Sequence, residues 1–558
     1  MKYWWWPATL ILAGGLALAV LGPNLPYFGQ MAIGAGGSDA FKHVWSQWWV
    51  WHELTSTGWI PTETELIYFP NGGEFVSLET ATVLLTAPIR PFVSPVTAYD
   101  LGYLLHLFLA AVAAAILARR FVPDRPEAAW VAGPAFAASA WVLAFPLSSG
   151  VSETVFLFPL PLLVLSGWSL LSSPEKRWIV LTPALLLLQA FGCWSYAIVG
   201  SVALAALFLV WLGTRPWRDG TLRPTLLRLG GAVGLLALVA LPAYFATQGA
   251  HEGGEAVYER TVELFPTGES PLMLPETNSI PLVDFVLPGD AGLRVAQMGV
   301  DRLSYAGSVG FLVLGLALFG AWKSRPARVA LGLAVLFALL ALGPRLHLDH
   351  ARTWPGLPNP VFLLFYYAFP IFNASIHSVD RFLNGVQLGL GVAAAIGVAG
   401  LPGPRWIAGV VTALVVGEGL FVSAGPWPVA QSRAELHEVS LALAEEEGAV
   451  WDIPWYESDG MRFHGDIFLQ QAAHGRPVPF RLEGMGDEVV SPELRANAFY
   501  RSVVQAGRSC EGVDGLRELG FGHVLFRPER SSRASTRALL ERCLGQPEDH
   551  GDVLWFRL

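Results

Sequence analysis

Residues 4–21, WWWPATLILAGGLALAVL, and residues 37–49, GSDAFKHVWSQWW, set the organisation of this chain. The first stretch is apolar throughout and long enough to be a membrane span, which needs about 20 mostly apolar residues. The second stretch then brings an acid, a base and a group of tryptophans to the place where the chain first leaves the membrane. Charged residues are costly at a membrane face unless they are solvated or functional. We therefore expect chemistry at a bilayer surface.

The composition of the 558 residues is that of a polytopic membrane protein. Hydrophobic residues make up 53% and charged residues only 15% of the chain, with a mean hydropathy of +0.46. A soluble domain carries roughly a quarter charged residues. The 22 tryptophans suit a protein with two membrane–water interfaces, where indole rings prefer to lie. A net charge of −9 is not that of a nucleic-acid binder.

The hydropathy pattern predicts an α-helical polytopic protein with about eleven transmembrane helices. Their approximate ranges are 5–22, 97–118, 128–146, 151–171, 178–194, 196–213, 226–246, 307–322, 327–343, 381–400 and 405–425. We interpret the first as an uncleaved span. Every short basic loop falls on one side of this layout, which predicts a cytoplasmic N terminus. An odd number of spans then puts the C-terminal region outside.

The sequence divides near residue 426. We predict a membrane domain over 1–425, whose long outer loops 23–96, 247–306 and 344–380 converge above the membrane. After residue 426 helical and strand patterns alternate, which indicates a small extracytoplasmic α/β domain over 426–558. The predicted helices are 433–447, 467–474, one that ends at 516–520, and 534–544, and the predicted strands are 449–453, 523–526 and 553–558.

Two of the three cysteines, Cys510 and Cys543, fall in this outer domain, whereas Cys193 lies within the membrane region. An exported domain is in an oxidising compartment, which permits a disulfide between Cys510 and Cys543. The alternative is a pair of buried free thiols, because a disulfide also requires that the two residues be close.

Asp39 is the candidate catalytic residue. One interpretation is a helix N-cap, a position where Asp is common. The other is a base with a raised pKa at a partly dry interface, which deprotonates an acceptor hydroxyl, or a contact to a metal. Lys42 and His43 follow within about one helical turn and are candidate substrate-binding residues, with a solvated helix face as the alternative. The nearby Trp45, Trp48, Trp49 and Trp51 are interpreted as an interfacial anchor.

Arg381 is the second candidate, in the run His377-Ser-Val-Asp380-Arg381 at the outer mouth of the tenth predicted span. The planar fork of a guanidinium suits phosphate oxygens, so Arg381 could grip a lipid phosphate, with His377 nearby. The alternatives are a salt bridge to Asp380 or snorkelling to headgroups. In the second long outer loop, Asp301 and Arg302 are candidates for acceptor binding or simple markers of the interface.

Several short motifs together resemble the GT-C superfamily of membrane glycosyltransferases, and in particular its poorly characterised bacterial members. They are Asp39-x-x-x-His43-x-Trp45, Pro61-Thr62, Phe69-Pro70-Asn71-Gly72-Gly73, Pro370-x-Phe372 ahead of Arg381-Phe382, and Trp451-Asp452-Ile453-Pro454. The resemblance covers nearly the whole chain. It departs at Asp39, because many members carry a paired acid there and this chain has Ala40.

The resemblance implies inverting sugar transfer from a polyprenyl-phosphate donor to an envelope glycan, lipid or protein at the outer face of a bacterial inner membrane. Asp39 matches the superfamily's acidic position, which usually acts as base or metal contact. The cofactor stays open, with a divalent metal as one candidate. Membrane lipids, the lipid-linked donor and the acceptor are the expected partners, and nucleic acid is not.

Two other functions fit the sequence. A transporter or flippase for a lipid-linked glycan would favour polar groups within the spans and broken helices or inverted repeats. A non-catalytic envelope scaffold would use the C-terminal domain to bind a partner, and the missing second acid favours it. The chain contains no phosphate loop, dinucleotide fingerprint, Cys-x-x-Cys or Gly-x-Ser-x-Gly motif, so an ATP-driven machine is not expected.

Overall fold

The structure is a computed structural model. It describes residues 4–35, 39–74, 79–214, 220–246, 278–286, 307–348, 356–369, 378–422, 425–453, 465–482, 490–505, 507–528 and 534–558. Its described residues form two compact units. The first, which we call the helical unit, is drawn from Met1–Gly36, Leu78–Ala246 and Pro266–Ser432. The second, the mixed unit, is drawn from Gly37–Ser77 and Arg433–Leu558.

The helical unit consists mainly of α-helices, and several of them are long and apolar. They are α1 (Trp5–Leu21), α3 (Thr80–Thr86), α4 (Pro95–Arg119), α5 (Ala132–Ala137), α6 (Ala140–Ala144), α7 (Pro146–Ser149), α8 (Pro159–Ser172), α9 (Arg177–Gly192), α10 (Trp194–Leu212), α11 (Leu222–Ala246), α12 (Phe311–Lys323), α13 (Arg325–Ala341), α14 (Pro360–Ala368), α15 (Leu383–Ala399) and α16 (Trp406–Phe421), while α2 (Ala40–Ser56) belongs to the mixed unit. Short sheets join β1 (Met31–Ile33) to β6 (Gln431–Arg433) and β4 (Arg345–Leu346) to β5 (Leu357–Pro358).

Among the described residues, five helical segments are long and apolar enough to cross a membrane. They are Trp5–Tyr27, Pro95–Arg119, Trp194–Leu212, Leu222–Leu241 and Val379–Ala399. Shorter apolar helices lie within other predicted spans, at Pro159–Ser172, Arg177–Gly192, Phe311–Lys323 and Trp406–Phe421. The chain is therefore mostly helical, with several segments suited to a bilayer.

Helix α15 is the centre of the helical unit, and nearly every one of its side chains is buried. Small residues let its neighbours approach closely. A Cβ on Gly397 would lie 2.1 Å from the carbonyl oxygen of Leu316 in α12, and one on Gly389 would lie 2.7 Å from that of Ala330 in α13. Glycine is thus required at these crossings, in the way that small residues mediate helix packing in membranes.

The third predicted span, 128–146, is not one helix. A 3₁₀ turn at Pro126–Val131 leads into α5, and α6 and α7 follow as separate short helices. Ser139 starts α6 by accepting a hydrogen bond from the Val142 N–H at 3.4 Å, and Pro146 starts α7. The interruption is buried in protein, where non-helical backbone is tolerated at membrane depth. The fourth predicted span also starts later, at Pro159, after a 3₁₀ turn at Ser152–Val155.

The mixed unit contains a four-stranded sheet in the order β7-β8-β10-β9. Its strands are β7 (Ala449–Asp452), β8 (Phe521–Phe526), β9 (Glu548–Asp549) and β10 (Leu554–Arg557), and a separate hairpin pairs β2 (Glu63–Thr64) with β3 (Gly73–Glu74). Its helices after residue 433 are α17 (Glu438–Leu443), α18 (Gly465–His474), α19 (Pro492–Ala496), α20 (Ala498–Val504), α21 (Val513–Glu518) and α22 (Ala534–Leu544). Strands β7 and β8 are parallel, and β10 is antiparallel to both β8 and β9.

Two local expectations for this region change. The helix predicted over 433–447 is shorter in the structure, where it is α17. At its start, residues 431–433 form strand β6 instead. At its end, the acidic residues 445–447 would lie at the negative end of the helix dipole. Cys510 and Cys543 are joined by a disulfide, with their Cα atoms 5.3 Å apart. The division of the sequence at residue 426 stays a prediction. By compactness, the segment Gly37–Ser77 groups with Arg433–Leu558.

Candidate functional site

Asp39 stands at the N-cap position of α2, but its side chain makes no capping hydrogen bond. Its carboxylate instead forms an ion pair with Lys42, with Oδ1 2.6 Å from Nζ. The Asp39 side chain is about half exposed, at 48%, whereas Lys42 is largely buried at 16%. The N-cap interpretation of this carboxylate is therefore wrong, and its observed partner is Lys42, three residues later on the same helix.

The charge around Asp39 keeps it ionised. Burial raises the pKa of the carboxyl, but the Lys42 ammonium, which also bonds to it, and then His43 lower that pKa by more, so the net direction is below the ordinary value. The expected raised pKa is wrong for this reason. An ionised carboxylate can still accept a proton from a hydroxyl as a bond to that oxygen forms.

The tryptophans of α2 are core residues of this structure. Trp45 and Trp49 are fully buried and stack nearly parallel, with ring centroids 6.2 Å apart. Trp45 also meets Phe468 of α18 edge to face at 5.8 Å, and the Trp49 indole N–H donates to Thr64 at 3.2 Å. For Trp45 and Trp49 the interfacial-anchor interpretation is therefore wrong, because these rings fix α2 within the mixed unit.

A second connection fixes the segment after α2 to the same unit. The Tyr68 N–H donates to the Phe480 carbonyl and the Val478 N–H donates to the Leu66 carbonyl, each at 2.9 Å. The Phe69 ring packs edge to face on Phe521 of β8, with centroids 5.2 Å apart. The helix that carries Asp39 and the C-terminal sheet are thus parts of one packed body.

Arg381 lies in the helical unit, in the 3₁₀ turn Val379–Phe382 that precedes α15. Its Nη1 donates to Ser195 Oγ at 2.7 Å and lies 3.3 Å from Glu153 Oε1, with Cys193 Sγ at 3.8 Å. The side chains of Arg381 and Glu153 are only 13% and 10% exposed. Arg381 Nε is buried without a hydrogen-bond partner among the described residues. Nη1 of this guanidinium is therefore held by protein, whereas Nε has no partner among the described residues.

The ion-pair partner of Arg381 differs from the one that sequence suggested. Asp380 is buried and accepts a hydrogen bond from the Trp141 indole at 3.4 Å, whereas the guanidinium pairs with Glu153. Because successive residues of a 3₁₀ turn point in different directions, adjacent positions in sequence did not give a salt bridge. Asp380 is therefore a second buried acid in the turn that carries Arg381.

The helical unit also contains an apolar cavity of about 260 Å³, whose lining does not include Arg381, Ser195 or Glu153. The segments that contact Arg381 each run into a helix that lines the cavity: Ser195 leads to Val199 in α10, Arg381 leads to Gly385 in α15, and Glu153 precedes Leu160 in α8. Further lining residues on α8, α10 and α15 are Val164, Trp168, Ala203, Leu207, Val210, Leu388, Gly389 and Val392, and α13 adds Arg325, Leu333 and Phe337.

A second buried acid, Glu79, contacts the turn that carries Glu153. Ser152, the residue before Glu153, donates to Glu79 Oε1 at 2.6 Å. Burial lowers the pKa of Arg90 to about 10, and the charge of Glu79 partly offsets this. Arg90 therefore stays protonated near pH 7, and its Nε donates to Thr86 at 2.8 Å. The Ser152–Val155 turn thus links Glu79 to Arg381 inside the helical unit.

Sequence reasoning missed Glu79 and Glu153. A signal was present for Glu153, since it is a charge inside a predicted span, and such residues are functional candidates by default. Two other acids within predicted spans, Asp100 and Glu418, have structural contacts. Asp100 accepts the Ile33 N–H at 2.9 Å, and Glu418 accepts the Leu312 N–H at the start of α12 at 3.0 Å.

The other predicted site residues divide between the units. Asp39, Lys42 and His43 lie together in the mixed unit, and Arg381 lies in the helical unit. His377, Asp301 and Arg302 fall outside the described residues. Within the part of the chain that the structure describes, no three His, Cys, Asp or Glu side chains converge to hold a metal ion.

Comparison with solved structures identifies the fold. The whole chain matches the arabinofuranosyltransferase AftD from mycobacteria with a TM-score of 0.51 and 16% identity, and it spans 40% of that longer chain. This likeness shows that the chain shares its fold with that arabinofuranosyltransferase.

Two further solved structures match at lower scores. One is the Archaeoglobus fulgidus oligosaccharyltransferase in its apo form, with 12% identity, 94% of this chain and 70% of that one covered, and a TM-score of 0.43. The other is ArnT from Cupriavidus metallidurans bound to undecaprenyl phosphate, with 14% identity, 98% and 97% covered, and a TM-score of 0.41. No family model matches the chain, and no curated protein matches it by sequence.

Proposed function

We propose that this protein is a membrane glycosyltransferase that moves a sugar from a polyprenyl-phosphate donor to an envelope glycan, lipid or protein at the outer face. The observation that carries the proposal is the buried Arg381 guanidinium, one helical turn before Gly385, where α15 begins to line the apolar cavity. Its Nε has no hydrogen-bond partner among the described residues and could donate to a phosphate oxygen, and an apolar space suits an isoprenoid tail. The GT-C fold supports the same class of reaction.

In this proposal Asp39 activates the acceptor. Its carboxylate takes the proton of the acceptor hydroxyl while that oxygen bonds to the anomeric carbon, and the bond from that carbon to the donor phosphate breaks with its electron pair on the phosphate oxygen. Arg381 stabilises the charge that the phosphate gains. Lys42 and His43 orient the acceptor or its charge, and a divalent metal at Asp39 is the alternative role for this acid.

The proposal extends to the layout of the chain. About eleven spans place the N terminus in the cytoplasm of a bacterial cell and an α/β C-terminal domain outside its inner membrane, on the side where lipid-linked sugars are used. His377, Asp301 and Arg302 belong to outer loops that contribute to acceptor or phosphate binding.

A deletion strain complemented with wild type or Asp39→Asn tests the proposal. Envelope glycans and lipid-linked intermediates are compared at matched membrane levels of the two proteins. We expect wild type to restore a sugar modification and Asp39→Asn to fail, with accumulation of the lipid-linked donor. Turnover that survives in Asp39→Asn would remove Asp39 from the chemistry.

Asp514→Asn is a matched control for that variant. Asp514 also lies in the first turn of a helix, α21, and also pairs with a basic residue three positions later, Arg517. It is 89% exposed, and we assign it no role in transfer. Asp514→Asn should restore the modification fully. Loss in both variants would mean that removing a helix-start ion pair is harmful in itself.

A transporter for a lipid-linked glycan is the second candidate, and the broken third span favours it, since discontinuous helices line transport paths. The same strain comparison separates the two. A transporter would leave the sugar composition of the lipid-linked intermediate unchanged and would strand it on the inner leaflet, whereas a transferase defect leaves an untransferred donor on the outer leaflet.

A further inference from the structure

Glu153 places a carboxylate beside the cation that we assign to the donor phosphate. Its Oε1 lies 3.3 Å from Arg381 Nη1, and the pair is almost completely buried. Ser195 Oγ takes a second contact to the same nitrogen at 2.7 Å. Nη1 is therefore saturated, and an anion must approach the edge that contains Nε, which is buried and has no hydrogen-bond partner among the described residues.

An anion on that edge shares the guanidinium with Glu153. The width of a guanidinium puts the two negative groups within roughly 6 Å of each other, where charges in a partly dry site interact strongly. Asp380 is a second acid buried in the same turn. Glu153 thus offsets the positive charge of Arg381, while Nε has no hydrogen-bond partner among the described residues.

The donor and the product of the proposed reaction differ in charge at this position. The donor phosphate is a diester and carries one negative charge. When the bond to the anomeric carbon breaks, the lipid keeps a phosphomonoester, which carries about −1.5 to −2 near pH 7. A fixed carboxylate beside the site therefore repels the product about twice as strongly as the donor.

We propose that Glu153 is a charge filter that lets the Arg381 site bind the phosphodiester donor by its hydrogen-bonding shape and release the phosphomonoester product by repulsion. The inference rests on the proposed function. Glu153 touches the guanidinium and not the reacting atoms, so it is a positioning and selectivity residue. For each unit of ligand charge, removing a carboxylate at this distance should tighten binding roughly ten- to hundredfold.

Binding of two lipid probes to the purified full-length protein tests this inference. The probes are undecaprenyl phosphate, a monoester, and its methyl ester, a diester with the same tail and one charge. Wild type should bind the two probes within about threefold of each other, because the net charge of its site is small. Glu153→Gln should bind both more tightly and prefer the monoester by about tenfold or more.

Ser195→Ala is the matched control. It removes a contact to the same Nη1 atom without changing the charge of the site. Both probes should weaken by the same factor, so their ratio stays at the wild-type value. A ratio that shifts equally in Ser195→Ala and Glu153→Gln would show that loss of Arg381 positioning, and not charge, is responsible, and would overturn the inference.

Wild type alone also decides the matter if Glu153→Gln does not fold. A wild-type preference for the monoester of more than tenfold would overturn the charge filter, because an isolated arginine site favours the larger charge. Binding of neither probe to wild type would instead remove the phosphate site of the proposed function. An equal effect of Glu153→Gln on both probes would sink the inference and leave the proposed function standing.

Discussion

Replacing Arg381 by Lys should weaken binding of a polyprenyl phosphate by roughly 30- to 1,000-fold while the protein stays folded. The structure gives the magnitude. Arg381 is anchored through Nη1 to Ser195 and Glu153, and its Nε edge can donate two charge-assisted hydrogen bonds to phosphate oxygens. A lysine ammonium could replace the anchoring contacts but has no second edge. Losing one or two such bonds costs about 2–4 kcal/mol, which is the stated fold-change.

The assay is equilibrium binding of undecaprenyl phosphate to the purified protein in lipid nanodiscs, with a thermal unfolding curve for each variant. Arg405→Lys is the control, because Arg405 also faces a buried carboxylate, Glu127, at 3.5 Å but lies at the other end of α15, just before α16. Its affinity should equal that of wild type. A dissociation constant for Arg381→Lys within threefold of wild type would refute the assignment of the Nε edge to phosphate.

Three further predictions concern the mixed unit. Trp45→Ala should destabilise this unit by about 3–5 kcal/mol, measured by denaturant unfolding, because the ring is fully buried; a loss under 1 kcal/mol would contradict its place in the core. Lys42→Met should move the acid limb of the pH–activity profile to higher pH, because it removes the charge that lowers the pKa of Asp39, and an unmoved limb would exclude Asp39 as the titrating group. The Asp39–Lys42 pair contributes its stability above the ordinary carboxyl pKa of about 4 and loses it as pH falls through the lower folded-state pKa, so at pH 7 the same variant should cost at most about 1 kcal/mol. Replacing Cys510 by Ser should destabilise the unit by about 3–4 kcal/mol, since its disulfide to Cys543 closes a loop over a separation of 33 residues, and a reductant should lower the unfolding temperature of wild type but not of this variant.

Hydropathy anticipated where most long helices lie, because a bilayer-spanning helix must be apolar over its whole length whatever it packs against. The predicted range 97–118 corresponds to α4 and the range 381–400 to α15. It did not anticipate the break between α5 and α6. That stretch is as apolar as a span. An interrupted backbone is tolerated there because it is buried within the helical unit.

The candidate site residues also divide into those that local sequence pattern predicted and those that only the packing brought together. Arg381 and Asp39 stood out because each is a charge next to an apolar run, and Lys42 follows from helical spacing alone. Glu153 was hidden by a window average over 151–171, which conceals one acid among many apolar residues. Its partner, Arg381, is 228 positions away along the chain, and Ser195 is 186 positions away. Contacts over such separations depend on how helices pack, which no local pattern records.

By itself, the sequence predicted a polytopic helical membrane protein and singled out candidate site residues next to its apolar runs. Those properties follow from solvent preference and local periodicity, which each segment carries alone. The tertiary structure decided which charges pair: Arg381 forms its ion pair with Glu153 and not with its neighbour Asp380. It also decided that α2, with Asp39, packs into the unit of the C-terminal sheet through Trp45 and Phe468. The reason is that a buried charge or ring is stabilised only by the particular groups that surround it, and these come from distant parts of the chain.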